Sequence, residues 1–389
     1  MDFDFNDEQR LLRDSVERLI ADRYGFEQRK QYAREPDGWS RANWAQFAEL
    51  GLLGMPFDEA HGGFGAGPAE TMLVMEAFGR GLVLEPYFAT VVLGGGLLHH
   101  AGSEAQKSAL LPRLAAGELL LAFAQQERAS RYDLADVATT ARRSGDSWRL
   151  DGEKSLVLHG DVADKLVVTA RLSGERRART GIGLFLVNAA APGVARHGYA
   201  TQDGLRAADV SFAAAPATPL GDPSGGLAAA ERALDEAIAA LCAEAVGLMD
   251  AMRVLTVDYL KTRKQFGRAI GEFQVLQHRS VDMFVALEQA RSMAMFAAMM
   301  AAEDDAEARA RAVSAAKVQI GRSGRLIGQE ATQLHGGIAM TMEYKIGHYF
   351  KRMTMIERMF GDTEHHLSRV AALGNGPASL LSMGVAPDA

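Results

Sequence analysis

The chain has 389 residues, of which 48% are hydrophobic and 23% charged, and its formal net charge at pH 7 is −7. This composition is typical of a folded protein of two or three domains and excludes a largely disordered chain. The acidic balance argues against a nucleic-acid or anionic-membrane surface, since both attract clustered positive charge.

Neither the single cysteine, Cys242, nor the N-terminus points to secretion. One cysteine cannot close an intramolecular disulfide, and the acidic first residues do not resemble a signal peptide. The longest apolar stretch, 293–302, is much shorter than the ~20 residues of a membrane span. We therefore expect a cytoplasmic protein.

The first segment, residues 1–118, has the periodicity of α-helices. Asn6 or Asp7 can cap a first helix, and a glycine-rich turn over 61–68 separates it from a helical stretch over 69–79. No strand and no P-loop lysine accompany this turn, so we interpret it as an interhelical loop. The segment predicts an N-terminal helical domain.

The middle segment, residues 119–224, contains short runs typical of strands. Two of them, over 166–170 and 182–187, are apolar or β-branched and are bounded by turn residues, and a third, over 148–152, resembles a strand that ends in a turn. Strands at this spacing predict a compact, barrel-like β-domain.

The last segment, residues 225–389, returns to a helical period. From Leu234 to Tyr259 apolar residues recur at steps of four and three, and further helices can follow Gly271, Ala306 and Thr341. Long helices with short connections predict a four-helix bundle, and the whole chain is then of the α+β class.

A first candidate binding motif is Arg263-Lys264-Gln265-Phe266-Gly267, followed by Gln274. An arginine at a helix end can bind a pyrophosphate through paired donors, and Phe266 can pack on a ring. Alternatively, Arg263 and Lys264 satisfy the last carbonyl groups of the helix. The motif alone leaves both readings open.

A second candidate motif is Gln333-Leu334-His335-Gly336-Gly337. Paired glycines expose backbone N–H groups to an anion, although a helix C-cap followed by a turn would use the same residues. Farther on, His365 and His366 point about 100° apart on a helix and have no third ligand at a plausible spacing, so we predict no metal site.

Taken in this order, these features resemble the acyl-CoA dehydrogenase family over essentially the whole chain. Glu343-Tyr344 and the stretch 349–352 also resemble its C-terminal region. The resemblance implies FAD at a subunit interface and α,β-dehydrogenation of an acyl-CoA, with an electron-transfer acceptor. It further implies that the FAD pyrophosphate and adenosine are held by Arg263, Gln265, Phe266, Gln274, Gln333, His335, Gly336 and Gly337.

The sequence departs from this family at the catalytic positions. The segment that meets the flavin ring, usually Trp-Ile-Thr after a lysine, is here Lys154-Ser155-Leu156-Val157-Leu158-His159-Gly160. The usual position of the catalytic Glu falls on Phe360 or Gly361, and the alternative position falls on Ala237. The nearest carboxylates, all weak candidates for the base, are Glu236, Asp362 and Glu364.

In these departures the chain resembles the smaller, base-deficient subunit of heteromeric acyl-CoA dehydrogenases. We therefore expect a flavoprotein subunit that completes the FAD site of a related, catalytic chain. One alternative is a self-sufficient homo-oligomeric dehydrogenase whose base is a relocated carboxylate. Another is a flavin-free interaction protein that keeps the fold.

Overall fold

The computed structural model describes residues 5–145 and 147–374. Its N-terminal part is helical, as predicted, and Asn6 caps the first helix by accepting a hydrogen bond from the backbone of Gln9. A π-helix, Phe88–Gly95, runs directly into the fifth α-helix. The α-helices of this part are α1 Asp7–Arg23, α2 Phe26–Tyr32, α3 Arg41–Glu49, α4 Pro68–Gly81, α5 Gly96–Ala101 and α6 Glu104–Ala115.

The middle part is a small closed β-barrel, which confirms the predicted barrel-like domain. Its strands are β1 Leu121–Ala124, β2 Thr140–Ser144, β3 Ser147–Leu158, β4 Lys165–Arg171, β5 Ile182–Asn188, β6 Val194–Ala200 and β7 Arg206–Pro219. The sheet order is β1-β4-β2-β3-β7-β5, with β6 on β7, and the barrel closes because β5 also pairs with β4. Alternate side chains of these strands fill the interior.

The C-terminal part is a bundle of long helices. They are α7 Gly226–Thr262, α8 Gln274–Ala301, α9 Ala306–His335, α10 Lys345–Arg358 and α11 Thr363–Gly374. The predicted apolar seam of α7 is buried from Leu234 to Met252, where it packs against α4, α8 and α9, and only its last members, Leu255 and Tyr259, are half-buried. Among the described residues no helix is long and apolar enough to cross a membrane.

Helix α8 is apolar on two faces. Its inner face, with Met283, Leu287 and Ala290, belongs to the bundle core. Its outer face carries apolar side chains that remain exposed, among them Val281, which is 57% exposed, and Phe284. An exposed apolar face of this kind is typical of a surface that another chain covers.

Candidate functional site

The structure brings the two candidate motifs to the same end of the helical bundle. The rings of Tyr259 and His335 lie 4.5 Å apart between centroids, and His335 also contacts Tyr344. Tyr259 precedes Arg263 by about one helical turn, and His335 precedes Gly336 directly. His335 is buried, which lowers its pKa, and its Nδ1 lies 2.8 Å from the carbonyl oxygen of Ala331.

Phe266 lies at the tip of a short hairpin that follows α7. Residues Lys264–Gln265 pair with Arg268–Ala269, and the two turn residues, Phe266 and Gly267, have φ values of 56° and 78°. Positive φ at both positions is typical of a type I′ hairpin turn. The Phe266 side chain is 88% exposed, and its ring contacts that of Phe273 edge to face, with 6.0 Å between the centroids.

Four polar side chains of these motifs have no partner among the residues that the structure describes. Those of Arg263, Gln265, Gln274 and Gln333 make no hydrogen bond or ion pair with any described residue, so Arg263 does not satisfy the carbonyl groups of α7. No atom of residues 5–145 or 147–374, chain neighbours aside, comes within 4 Å of a Cβ placed on Gly336 or Gly337. We call these six residues and Phe266 the donor corner.

The donor corner suits the dinucleotide part of FAD. A guanidinium and amide groups can donate to two phosphates, the unobstructed glycines let a ligand approach the backbone, and an exposed aromatic ring can pack on a base. His335 differs from the other predicted members because it is buried, and it supports the corner from within.

A buried lysine fixes the turn that contains Phe360 and Gly361, the two predicted base positions. The ammonium of Lys317, on α9, donates to the carbonyl oxygens of Ile356, Glu357 and Gly361 at 2.8, 3.1 and 3.0 Å. Burial lowers the pKa of Lys317 to about 8. Three carbonyl acceptors at the end of α10 make this the natural place for a cation.

Within this turn, Gly361 has no room for a side chain. Its φ is 122°, and an added Cβ would lie 2.5 Å from Cδ2 of His365 and 2.6 Å from Nε2 of His366. The preceding residue, Phe360, is half-buried, and its ring centroid lies 6.1 Å from that of Phe88. Neither of the two predicted base positions presents a group that can take a proton.

Phe360 forms part of the wall of a cleft of about 630 Å³ between the barrel and the bundle, which we call the front cleft. The loop 129–134 forms one side, and Leu234 and Ile238 of α7 form part of the other. The Tyr132 hydroxyl donates to Asp362 at 3.4 Å, and Asp362 also accepts the backbone N–H of His365 at 2.9 Å. Asp362 is thus the N-cap of α11.

The other two weak candidates for the base lie elsewhere. Glu364 is exposed on α11. Glu236 is on the face of α7 opposite the front cleft, where His100 and Arg232 each hydrogen-bond to it at 2.9 Å. Burial opposes its ionisation, but these two hydrogen bonds outweigh that effect and keep its pKa below the usual value.

The segment 154–160 also ends among buried groups. Lys154 is buried and donates to Glu127 at 2.9 Å. Leu158 and His159 line a cavity of only about 30 Å³, and burial lowers the pKa of His159 to about 3. Such a cavity holds one or two water molecules, so the residues on this side of the segment do not leave space for a flavin ring.

The same small cavity is bordered by a buried ion cluster that the sequence analysis did not identify. Arg352 donates to both carboxylate oxygens of Glu244, at 2.6 and 2.7 Å, and to Asp203 at 2.8 Å. Burial lowers the pKa of the Arg352 guanidinium, but the two carboxylates raise it by more than burial lowers it. The pKa of Arg352 is therefore above its usual value. The one available signal was Glu244, a charged residue within the apolar seam of α7.

Three family models match this chain. They are the acyl-CoA dehydrogenase N-terminal domain over residues 6–118, the middle domain over 122–214 and the C-terminal domain over 224–373. Acyl-CoA dehydrogenase FadE12 of Mycobacterium tuberculosis is 31% identical over 88% of this chain and 89% of its own. Probable acyl-CoA dehydrogenase YngJ of Bacillus subtilis is 27% identical over 94% and 97%.

Solved structures of similar fold include two complexes. A Tcur3481-Tcur3483 steroid ACAD variant is 30% identical, with a TM-score of 0.85, over 94% of this chain and 97% of that one. The ChsE4-ChsE5 complex from Mycobacterium tuberculosis contains a chain that is 25% identical, with a TM-score of 0.88, over 97% and 100%.

Proposed function

Since the chain belongs to the acyl-CoA dehydrogenase family, we propose that it is a subunit of an FAD-dependent oxidoreductase acting on the CH–CH bond of an acyl-CoA, and that it completes the FAD site of a related, base-bearing chain. The observation that carries this proposal is the contrast between two regions. The donor corner is exposed and its polar side chains make no hydrogen bond or ion pair with a described residue, whereas the base positions carry no carboxylate.

The contribution of this chain is to bind and orient the cofactor. Arg263 donates to the pyrophosphate together with the backbone amides of Gly336 and Gly337, and the glutamines of the donor corner add neutral donors. Phe266 covers an apolar ring face. The chemistry that FAD supplies when bound is acceptance of the hydride that leaves the β-carbon of the acyl group.

A related chain is a better partner than a second copy. Two copies would present two donor corners, but neither would offer space beside Leu158 and His159 or a carboxylate at 360–361. The outer face of α8, with Val281 and Phe284, provides an apolar surface for assembly. The Tcur3481-Tcur3483 and ChsE4-ChsE5 complexes, each named for two chains, support the same reading.

The test is co-expression with the product of the neighbouring gene, followed by measurement of bound flavin and of its bleaching by acyl-CoAs. We expect the pair to contain FAD and to be bleached, and the chain alone to be inactive. The Arg263→Met variant should lower FAD affinity of the pair about tenfold or more, because a charged donor is lost. Lys261→Met, on an exposed residue one half-turn away, is the matched control.

Two outcomes would contradict the proposal. Full activity of the chain alone would favour the self-sufficient enzyme. If the chain and every pair stay colourless after incubation with FAD, with no absorbance near 450 nm, the flavin-free interaction protein is the better description.

A further inference from the structure

A second cavity lies behind α7, on the face opposite the front cleft, and we call it the rear cavity. Its volume is about 240 Å³. Since one water molecule occupies ~30 Å³ in the liquid, this space holds about eight non-hydrogen atoms. The wall is mainly apolar and includes Phe57, Val91, Val92, Ala239 and Ala240.

One part of the rear cavity is polar and is organised around Glu236. His100 Nε2 lies 3.0 and 2.9 Å from the two carboxylate oxygens, and Arg232 Nε donates to the first of them at 2.9 Å. Arg232 Nη1 donates to the carbonyl oxygen of Glu303 at 2.7 Å. The charge of Glu236 is therefore matched by its neighbours.

Two nitrogen atoms of this cluster remain without a partner. Neither Nη2 of Arg232 nor Nδ1 of His100 bonds to a described residue, although both side chains line the rear cavity. Nδ1 of the neighbouring His99, which also lines it, is buried, makes no hydrogen bond to a described residue and faces the Asp58 carboxylate at 3.9 Å. The polar part thus offers the Nη2 donor of Arg232 to a ligand, while both oxygens of Glu236, the one carboxylate among the lining residues, are already used.

We propose that the rear cavity binds a short-chain monocarboxylate, with its carboxylate accepting from Nη2 of Arg232 and its alkyl chain against Val91 and Val92. An arginine between two carboxylates is well matched, because its planar guanidinium has donors on two edges. An apolar wall with a few convergent polar groups is the usual form of a small-molecule site, and six carbons fill this volume.

This site is distinct from the one in the proposed function. Arg232, Glu236, Ala239 and Ala240 face the rear cavity, whereas Leu234 and Ile238 face the front cleft. Binding at the rear cavity needs neither FAD nor a partner chain, so its test does not depend on whether the proposed function holds.

The experiment is a calorimetric titration of the purified full chain with hexanoate, hexanol and hexylamine. We expect saturable binding of hexanoate at least tenfold tighter than that of hexanol, and no binding of hexylamine. No saturable hexanoate binding, or equal affinity for hexanol, would overturn the proposal.

A variant that fills the space tests the location. Ala240→Leu should weaken hexanoate binding at least tenfold and leave the ion cluster in place, whereas Ala228→Leu, at an exposed position of the same helix, should not change it. If Ala240→Leu does not fold, Thr71→Leu fills the cavity from the α4 side. Unchanged hexanoate affinity in the folded filling variant would place the site elsewhere and refute the assignment.

Discussion

The ammonium of Lys317 lies 3.0 Å from the carbonyl oxygen of Gly361 and donates a hydrogen bond to it. This bond joins the middle of α9 to the turn between α10 and α11, far from either end of the bundle. The turn carries the two positions at which a base is expected, so its conformation decides which side chains line the front cleft.

Replacing Lys317 by Met should destabilise the protein by about 2–4 kcal/mol, because three buried carbonyl oxygens lose their donor. Urea unfolding at pH 7 measures this. Lys261→Met, which changes an exposed lysine, should shift the free energy of unfolding by less than about 0.5 kcal/mol. Equal stability of wild type and Lys317→Met would show that water replaces the ammonium at no net loss.

Gly361 and Phe360 should differ sharply in their tolerance of glutamate. Gly361→Glu places a Cβ against His365 and His366 and also strains φ, so we expect loss of folding or of several kcal/mol of stability. Phe360→Glu introduces its carboxylate at the front cleft and should fold. Thermal unfolding of the two variants decides this, and the reverse order would contradict the geometry of the turn.

The stability of the protein should depend on the protonation of Glu85. This carboxyl is 5% exposed and accepts a hydrogen bond from the Tyr24 hydroxyl, and burial raises its pKa from 4.5 to about 8. A raised pKa means that the folded state holds the proton more tightly. As the pH rises from about 4.5 to about 8, the free energy of unfolding should therefore fall by about 1.4 kcal/mol per pH unit.

Urea unfolding of Glu85→Gln at pH 6.5 and 8 tests this pH dependence. The variant should lose this slope, so its stability relative to wild type should improve by about 2 kcal/mol between these pH values. Burial lowers the pKa values of His159 and His366 to about 3, so these residues affect the pH dependence of stability mainly below this window. Burial lowers the pKa values of Lys154 and Lys317 to about 8, so they affect it mainly above the window. Glu118→Gln, on an exposed residue, is the control. If the free energies of unfolding of Glu85→Gln and wild type changed equally between the two pH values, Glu85 would be ionised in the folded state.

Charge on the outer face of α8 should prevent assembly. Val281→Asp places a carboxylate on this apolar face, and an unpaired charge in an interface core opposes association. Light scattering after size exclusion should show a smaller species with unchanged secondary structure. Leu11→Asp, at an exposed position of α1, should leave the assembly intact, and an unaltered mass for Val281→Asp would exclude α8 from the interface.

Much of the fold could be predicted because it follows from local periodicity. The residue types of the α7 seam and of the short strands over 166–170 and 182–187 indicate which faces are buried. Burial on one face requires apolar residues at regular steps, and burial on both faces requires a continuous apolar run. Both motifs of the donor corner were recognisable as local strings. That they lie at one end of the bundle required the contact between Tyr259 and His335, which are 76 residues apart by their numbers.

The interior of the site could not be predicted from the sequence in the same way. Arg352 contacts Glu244 across 108 residues and Asp203 across 149, and no periodic pattern records such pairs. The exclusion of side chains at Gly361 depends on a φ of 122° and on how two histidines pack. Glu236 was a candidate because it directly precedes Ala237, the alternative base position. Successive residues of a helix point about 100° apart, and Glu236 faces the rear cavity.

The cluster of Arg352, Glu244 and Asp203 has a consequence for how this chain can evolve. Removing one member of a buried ion pair leaves an unmatched charge and costs about 3–5 kcal/mol, whereas replacing the set together can be neutral. Opening space beside Leu158 would need several coordinated substitutions, because each single one leaves a poorly folded protein. The cluster therefore makes the loss of this space hard to reverse, and proteins that evolve from this chain should keep the space beside Leu158 closed.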